Sequence, residues 1–128
     1  MPKAPSRRLA PIRQLLEVMA ALRAPDGCPW DREQDHRSLR SHAVEEVYEL
    51  MDAIDAGDDV EMAEELGDLL LQVVFHAQLA RERGVFDFDA VCQRTYASMG
   101  PTAPTVHGDV LVEIFRQIVD AVYVLPSE

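Results

Sequence analysis

The sequence predicts an all-α fold, a bundle-like domain of four to five helices. Apolar residues recur at steps of three and four along most of the chain, and no stretch alternates convincingly with the period of two that marks a β-strand. Turn-forming glycine, proline and aspartate residues separate the periodic segments. The 128 residues fit a single domain over residues 1–128, and a chain of this length buries a core without disulfides or a structural metal.

Five segments carry the helical period, and the first four are bounded by residues that favour the start or the end of a helix. Residues 28–37 are polar and are predicted to form a long loop, a kind of segment that tends to be functional in a small domain. The predicted helices are residues 11–23; 38–56, capped by Ser38 and ended by Gly57; 59–83, capped by Asp58 or Asp59 and ended by Gly84; 87–98, capped by Asp87 or Asp89; and 110–124.

The third predicted helix is apolar nearly all round between Leu69 and Phe75. A helix with this pattern is buried on more than one side. A chain of 128 residues cannot easily cover such a helix by itself. We therefore predict an oligomer, a homodimer or homotetramer, in which helices pack between subunits.

The charge balance excludes several classes of partner. The formal net charge is −11, and the acidic residues concentrate between Asp31 and Asp89. Nucleic acid polymers and anionic membrane surfaces bind Lys and Arg, so neither is an expected partner. If the chain handles a phosphorylated small molecule, a divalent cation must lie between the two.

The cysteines and the apolar runs bear on location. Cys28 and Cys92 lie far apart in the sequence and form no CxxC pair, which favours two reduced thiols. No apolar run is long enough for a signal peptide or for a membrane span. The expected location is the cytoplasm.

Acidic residues recur at a spacing of three on two consecutive helices. A step of three residues turns an α-helix to within about 60° of the starting direction, so the two members of each pair lie on one face. The short connection makes the two helices antiparallel neighbours, and their acidic faces then meet. The residues concerned are Glu45, Glu46 and Glu49 on the second helix and Glu64, Glu65 and Asp68 on the third.

Such a cluster is unfavourable without a counterion. Two like charges ~4 Å apart repel by about 4 kcal/mol at an effective dielectric constant of 20. Four carboxylates would take up protons or bind a cation, and all-oxygen ligation suits Mg²⁺, or Mn²⁺, better than Zn²⁺. The alternative is a solvated acidic face, as we expect for Asp52, Asp55, Asp59 and Glu61. The preferred ligands are Glu46, Glu49, Glu65 and Asp68, with Glu45 next to them.

Five motifs follow one another along the chain: Gly27-Cys28-Pro29-Trp30-Asp31-Arg32-Glu33-Gln34, Ser38-Leu39-Arg40, Glu45-Glu46-x-x-Glu49, Glu64-Glu65-Leu66-Gly67-Asp68 with Leu69 to Ala77, and Gly84-Val85-Phe86-Asp87. In order and spacing they resemble the MazG family. The resemblance covers residues 10–95, whereas residues 100–128 diverge. The combination is far more specific than any one motif.

The resemblance implies a helical, usually dimeric or higher-order domain that binds Mg²⁺ through these acids. Such a domain hydrolyses nucleoside triphosphates to the monophosphate and pyrophosphate, and it clears noncanonical or surplus nucleotides. The ligands then fall on the four preferred acids. Glu45 would complete the metal shell or orient the attacking water, so Glu45 and Glu49 are the catalytic candidates.

The motif around the only tryptophan is the candidate for holding the base or sugar. Trp30 offers a stacking face, Asp31 or Gln34 hydrogen-bonds base edges, and Arg40 reaches a phosphate. The alternatives are a tryptophan that fills a core gap and an arginine that lies on the surface. His76, within an apolar stretch, is expected to be a core or interface histidine.

One segment departs from the family. The family usually carries a basic segment resembling RRHPHVFGD, and residues 100–109 read GPTAPTVHGD instead, so that only the final Gly108-Asp109 matches. The alternative function is therefore a weakened or inactive helical interaction module. A di-iron or di-manganese carboxylate bundle is a third hypothesis, but its helices carry Glu-x-x-His, whereas His42 and His76 follow Leu39 and Val73 by three residues.

Overall fold

A computed structural model describes residues 4–100 and 116–118 of the chain. The described residues are mostly helical and contain no β-strand, which confirms the predicted all-α class. Of the predicted helix 110–124, only residues 116–118 are described, and they are helical; the remainder lies outside the described residues. The helices are α1 (Pro11–Arg23), α2 (Pro29–Glu33), α3 (Arg40–Ala56), α4 (Asp59–Glu82) and α5 (Phe88–Met99).

Most helix ends lie where local chemistry places them. Pro11 occupies the first position of α1, where a missing N–H costs nothing. Gly57 ends α3 in the left-handed conformation, with φ of 69°. The Asp58 carboxylate caps α4 by accepting hydrogen bonds from the backbone N–H groups of the second and third residues of that helix. Asp87 does the same at α5, where its Oδ1 accepts from Ala90 N at 2.9 Å.

Two predictions between α1 and α3 were wrong. The predicted loop over residues 28–37 contains the short helix α2, which begins with Pro29. This segment lacks the periodic apolar residues by which a helix is predicted. Ser38 does not cap α3, because that helix begins at Arg40 after Leu39. The Ser38 hydroxyl instead accepts from Asp35 N at 2.9 Å, while Asp35 Oδ1 accepts from Ser38 N at 2.7 Å. This local turn competes with the helix for the same side chain.

The core lies where α1 packs on α4 and where α3 and α4 pack as a hairpin. Burial of these apolar side chains holds α1 and, through Leu39, the start of α3 against α4. The two-residue turn between Ala56 and Asp59 keeps the rest of α3 beside α4. The buried cluster comprises Met19, Leu39, Val74, Phe75 and Leu79, with Ile12, Leu15, Leu16, Leu71 and Phe88 packed against it.

Residue contacts divide the chain into two compact units, Met1–Val91 and Cys92–Glu128. The first unit contains α1 to α4 and all of the core cluster described above. A single domain over residues 1–128 stays a prediction. Among the described helices, none combines the length and the apolar character needed to span a membrane.

Only part of the apolar stretch on α4 is covered within the chain. Val74 and Phe75 are buried, whereas Leu66, Leu70 and Val73 are 39–48% exposed. The exposed residues recur at steps of three and four and so lie along one side of the helix. The neighbouring helix α3 also exposes Val44, Tyr48, Met51 and Ile54.

Candidate functional site

The acidic faces of α3 and α4 meet as the spacing predicted. One carboxylate oxygen from each of Glu46, Glu49, Glu65 and Asp68 lies within 4.8 Å of the others. Glu46 and Glu65 are half-buried, while Glu49 and Asp68 are exposed. We call these four residues the acid cluster. Its open side is formed by the two exposed carboxylates, so an ion and its ligands have access from solvent.

The electrostatics of the acid cluster are those of negative charges held together. Burial raises the pKa of Glu46, and the charges of Glu49 and Asp68 raise it further. Burial also raises the pKa of Glu65 to about 7, together with a hydrogen bond and the charge from Glu49. Each group therefore holds its proton more strongly than a free glutamate does.

A divalent cation fits this arrangement. The Oε2 atoms of Glu46 and Glu65 are buried and have no hydrogen-bond partner among the residues that the structure describes. A buried acceptor without a partner costs free energy that a bound cation would return. Carboxylate oxygens are the ligands that Mg²⁺ and Mn²⁺ prefer.

Glu45 lies outside the acid cluster and is exposed. Its Oε2 is 4.0 Å from Nδ1 of His42, one turn earlier on α3. The His42 ring in turn meets the indole of Trp30 edge to face, with ring centroids 5.8 Å apart and planes at 80°. His42 thus links Trp30 to the glutamate beside the acid cluster, a contact that the sequence analysis missed.

Trp30 lies on α2 and is 52% exposed. Because half of the side chain faces solvent, it does not plug a core gap, which was the alternative to a stacking role. Its contact with His42 is confined to one side, and 52% of the side chain stays accessible to another ring. The geometry is suitable for stacking a nucleobase or a similar planar group.

The other predicted substrate contacts differ in how available they are. Both ends of the Gln34 amide are already engaged: Nε2 donates to Trp30 O at 3.0 Å, and Oε1 accepts from the Ser38 hydroxyl at 2.8 Å. Asp31 is half-buried on α2, and Arg40 is exposed at the first position of α3. Asp31 is therefore the better candidate for a base contact than Gln34.

Comparison with known families shows which family the chain belongs to. Residues 34–107, more than half of the chain, match the MazG nucleotide pyrophosphohydrolase domain. The chain belongs to the MazG family. The matched region contains all four residues of the acid cluster and begins after Trp30.

Several relatives are similar over most of this chain. A Thermotoga maritima protein named nucleoside triphosphate pyrophosphohydrolase/pyrophosphatase MazG is 51% identical over 98 residues, covering 77% of this chain and 38% of the relative. Escherichia coli K12 nucleoside triphosphate pyrophosphohydrolase is 44% identical over 103 residues, covering 80% of this chain and 39% of the relative. The Mycobacterium tuberculosis protein of the same name is 46% identical over 80 residues, covering 61% and 25%. This chain thus spans less than two fifths of each of these MazG relatives.

A pair of histidines connects the residues between α2 and α3 to α4. His36 and His76 stack with ring centroids 5.0 Å apart, and their Nδ1 atoms are 2.8 Å apart. Arg83 donates to Nε2 of His36 at 3.2 Å, which makes Nδ1 of a neutral His36 the donor to His76. Burial lowers the pKa of His76, and the charge of a protonated His36 lowers it further. His76 is half-buried and hydrogen-bonded, in keeping with the structural role predicted for it.

Two further residues were not singled out by the sequence. Gln72 lies one turn after Asp68 on α4, and its buried Oε1 has no hydrogen-bond partner within residues 4–100 and 116–118. Arg23, the last residue of α1, donates to three backbone carbonyls of the α2 region and to Glu82. Neither has a sequence signal beyond its residue type. Residues 101–109 of the segment that departs from the MazG family lie outside the described residues.

Proposed function

We propose that this chain hydrolyses nucleoside triphosphates to the nucleoside monophosphate and pyrophosphate. The observation that carries the proposal is the acid cluster, in which four carboxylates lie within 4.8 Å of one another and two buried oxygens lack a partner in the described part of the chain. The names of the MazG relatives, which are nucleoside triphosphate pyrophosphohydrolases, support the same reaction. The clearing of noncanonical or surplus nucleotides is the role we propose for it.

Glu46, Glu49, Glu65 and Asp68 would hold Mg²⁺, with Mn²⁺ as the alternative. The chemistry that such an ion would supply is neutralisation of the triphosphate charge and of the charge that develops on pyrophosphate. The four acids contribute the negative charge that holds such ions and would otherwise repel the substrate. The chain has 12 Lys and Arg residues against 23 Asp and Glu residues, a net charge of −11 that favours neutralisation of the substrate by a bound cation.

Proton transfer needs a carboxylate at the edge of the acid cluster. Glu45 is exposed there, and its Oε2 lies 4.0 Å from Nδ1 of His42. We assign it to accept a proton from the water that attacks the α phosphorus, with Glu49 as the other candidate. The bond between the α phosphorus and the bridging oxygen breaks, and the electron pair leaves with pyrophosphate.

Trp30 would hold the nucleoside by stacking on the base, because its indole is half exposed and ordered against His42. Asp31 would accept a hydrogen bond from the base edge. Gln34 would contribute only after giving up its bonds within the segment. Arg40 would reach a phosphate from the start of α3.

We also propose that the active form is a homodimer or homotetramer and that it works in the cytoplasm. The support for assembly is the apolar surface of α3 and α4, where Tyr48, Leu66 and Val73 are among the exposed side chains. Burial of such a surface between subunits would stabilise the complex. Sedimentation at micromolar concentration should give a species of at least two chains, and a well-behaved monomer would contradict the assignment.

The second candidate is a helical interaction module that does not turn over nucleotides. The observation that favours it is the replacement of the basic family segment by residues 100–109. One assay separates the two functions. Each common ribo- and deoxyribonucleoside triphosphate is incubated with the chain and Mg²⁺, Mn²⁺ or EDTA, and pyrophosphate is measured. Release that requires the metal supports the enzyme, while no release from any nucleotide with either metal supports the module.

A further inference from the structure

Arg23 is an unusually enclosed charged side chain. It is the last residue of α1, and its side chain is only 12% exposed. Arginine side chains are rarely this enclosed unless every part of the guanidinium is paired. Its contacts divide into two groups, one on α2 and one on α4.

The first group closes the end of α2. Nη1 of Arg23 donates to the carbonyl oxygens of Asp31 at 2.7 Å, Arg32 at 2.9 Å and Gln34 at 3.1 Å. The last carbonyls of any helix lack partners within the helix, and a helix of five residues is too short to be stable by itself. The conformation of α2 therefore depends on a donor from outside it.

The second group fixes Arg23 to α4. Its Nε and Nη2 donate to the two carboxylate oxygens of Glu82, at 3.0 Å and 2.7 Å. Gln78, one turn earlier, donates to the same carboxylate at 3.1 Å. The hydrogen bonds that Arg23 donates to Glu82 raise the pKa of Arg23 and lower the pKa of Glu82, so both charges persist through neutral pH.

The start of α2 is attached to α1 by the backbone. Cys28 N donates to Leu22 O at 2.9 Å, and Gly27 passes so close to α1 that an added Cβ would lie 2.2 Å from the same oxygen. With this end fixed, the Arg23 contacts set the direction in which α2 points. That direction places the Trp30 indole against His42 on α3.

We propose that Arg23 is a positioning residue for nucleotide binding, which holds α2 so that Trp30 lies at a fixed place relative to the acid cluster. The proposal rests on the proposed function, because it takes Trp30 to be the stacking surface for the base. Arg23 touches no substrate; it acts through α2. The planar guanidinium is needed because lysine has one charged nitrogen and cannot bond Glu82 by two donors while capping three carbonyls.

Arg23→Lys is the informative substitution. The histidine pair still ties residue 36 to α4, so loss of the Arg23 contacts should loosen α2 without unfolding the chain. Arg81→Lys, an exposed residue next to Glu82, makes the same chemical change as a control. Glu82→Gln keeps a hydrogen-bond acceptor for Arg23 but removes the charge, and it should shift each measurement in the same direction by less.

Trp30 is the only tryptophan in the chain, so its fluorescence reports on α2 alone. In Arg23→Lys we expect acrylamide to quench Trp30 more strongly than in the parent chain. We expect KM for the best nucleotide to rise about tenfold with kcat within about twofold, as for loss of a charge-assisted contact that acts in binding. The affinity of the nucleotide-free chain for Mg²⁺, measured by calorimetry, should be unchanged.

Parental KM and parental Trp30 quenching in Arg23→Lys would overturn the proposal. An equal loss of kcat, Mg²⁺ affinity and thermal stability would also overturn it, because that pattern marks a general structural role. If the parent chain turns over no nucleotide, the proposed function fails separately. The Arg23 proposal is then decided by binding of Mg²⁺ with α,β-methylene-ATP, read from Trp30 fluorescence. Binding that is about tenfold weaker in Arg23→Lys than in Arg81→Lys supports it, whereas equal or absent binding overturns it.

Discussion

Replacing Asp68 by Asn removes one negative charge from the acid cluster and keeps the shape of the side chain. Asp68 is exposed, and one of its oxygens lies within 4.8 Å of oxygens from Glu46, Glu49 and Glu65. The substitution should therefore have opposite effects on the free energy of unfolding with and without metal. Without metal it relieves repulsion, and with metal it removes a ligand.

The size of the first effect follows from the separation. Two unit charges 4.8 Å apart repel by about 3.5 kcal/mol at an effective dielectric constant of 20. Water around the exposed Asp68 screens most of this, and surface pairs contribute roughly 1 kcal/mol or less. We expect Asp68→Asn to be more stable than the parent chain by about 1 kcal/mol in EDTA, or about 3 to 5 °C in Tm.

The second effect is on metal binding and turnover. Substitution of residues that only support metal ligands costs about 10- to 100-fold, so loss of a ligand should cost at least about 100-fold in kcat/KM. Millimolar Mg²⁺ should raise the Tm of the parent chain and leave that of Asp68→Asn nearly unchanged. Pyrophosphate release and calorimetric unfolding measure the two quantities.

Asp55→Asn is the matched control, because Asp55 is exposed on α3 outside the acid cluster. It should have parental turnover and a parental response to Mg²⁺. Glu49→Gln should behave like Asp68→Asn, with helical circular dichroism retained in both. Near-parental turnover in Asp68→Asn would refute the assignment of the acid cluster as the metal site. An equal rise in Tm with Mg²⁺ for Asp68→Asn and Asp55→Asn would also refute it.

Three further predictions concern protons and the base. Metal binding requires ionised Glu65, whose pKa is about 7 without metal, so Mg²⁺ affinity should fall as pH is lowered through 7; calorimetry in two buffers should detect proton release, and none would contradict the site. The pKa of His76 is lowered from 6.5 in the folded chain, so the unfolded chain is protonated at a higher pH than the folded chain. The parent should therefore lose stability relative to His76→Gln as pH falls below 6.5. Free energies of unfolding that change in parallel with pH in the two chains would contradict this. Trp30→Ala should raise KM about tenfold and Trp30→Phe much less, because stacking on a base contributes roughly 1–3 kcal/mol. A KM for Trp30→Ala equal to that of the parent chain would show that Trp30 does not bind the base.

The acid cluster was predictable because helix geometry is local. Glu46 and Glu49, and likewise Glu65 and Asp68, lie at a spacing that fixes a common face, and a two-residue turn leaves α3 and α4 little choice but to pack together. Gly57 and Asp58 are residue types that favour such a turn, so the sequence predicts it directly. The class of the fold and the meeting of the four acids follow from these short-range rules.

The arrangement of α2 was not predictable in the same way. Arg23 donates to the carbonyls at the end of α2, and its own partner, Glu82, is 59 residues away in the sequence. The hydrophobic periodicity of a sequence does not predict a contact between residues so far apart. Ser38 misled the prediction for a related reason, since the turn with Asp35 uses the hydroxyl that a helix cap would need. Where a side chain has two competing local partners, the packing around it determines which hydrogen bond forms.

The products of the reaction test the central claim most directly. The chain is incubated with Mg²⁺ and its best nucleoside triphosphate in ¹⁸O-labelled water, and the products are separated and weighed by mass spectrometry. The proposed function predicts nucleoside monophosphate and pyrophosphate from the first turnover, with the label in the monophosphate, because a base held at Trp30 fixes the α phosphate most firmly. Label in pyrophosphate would move the attack to the β phosphorus. Nucleoside diphosphate and orthophosphate as first products would contradict the account.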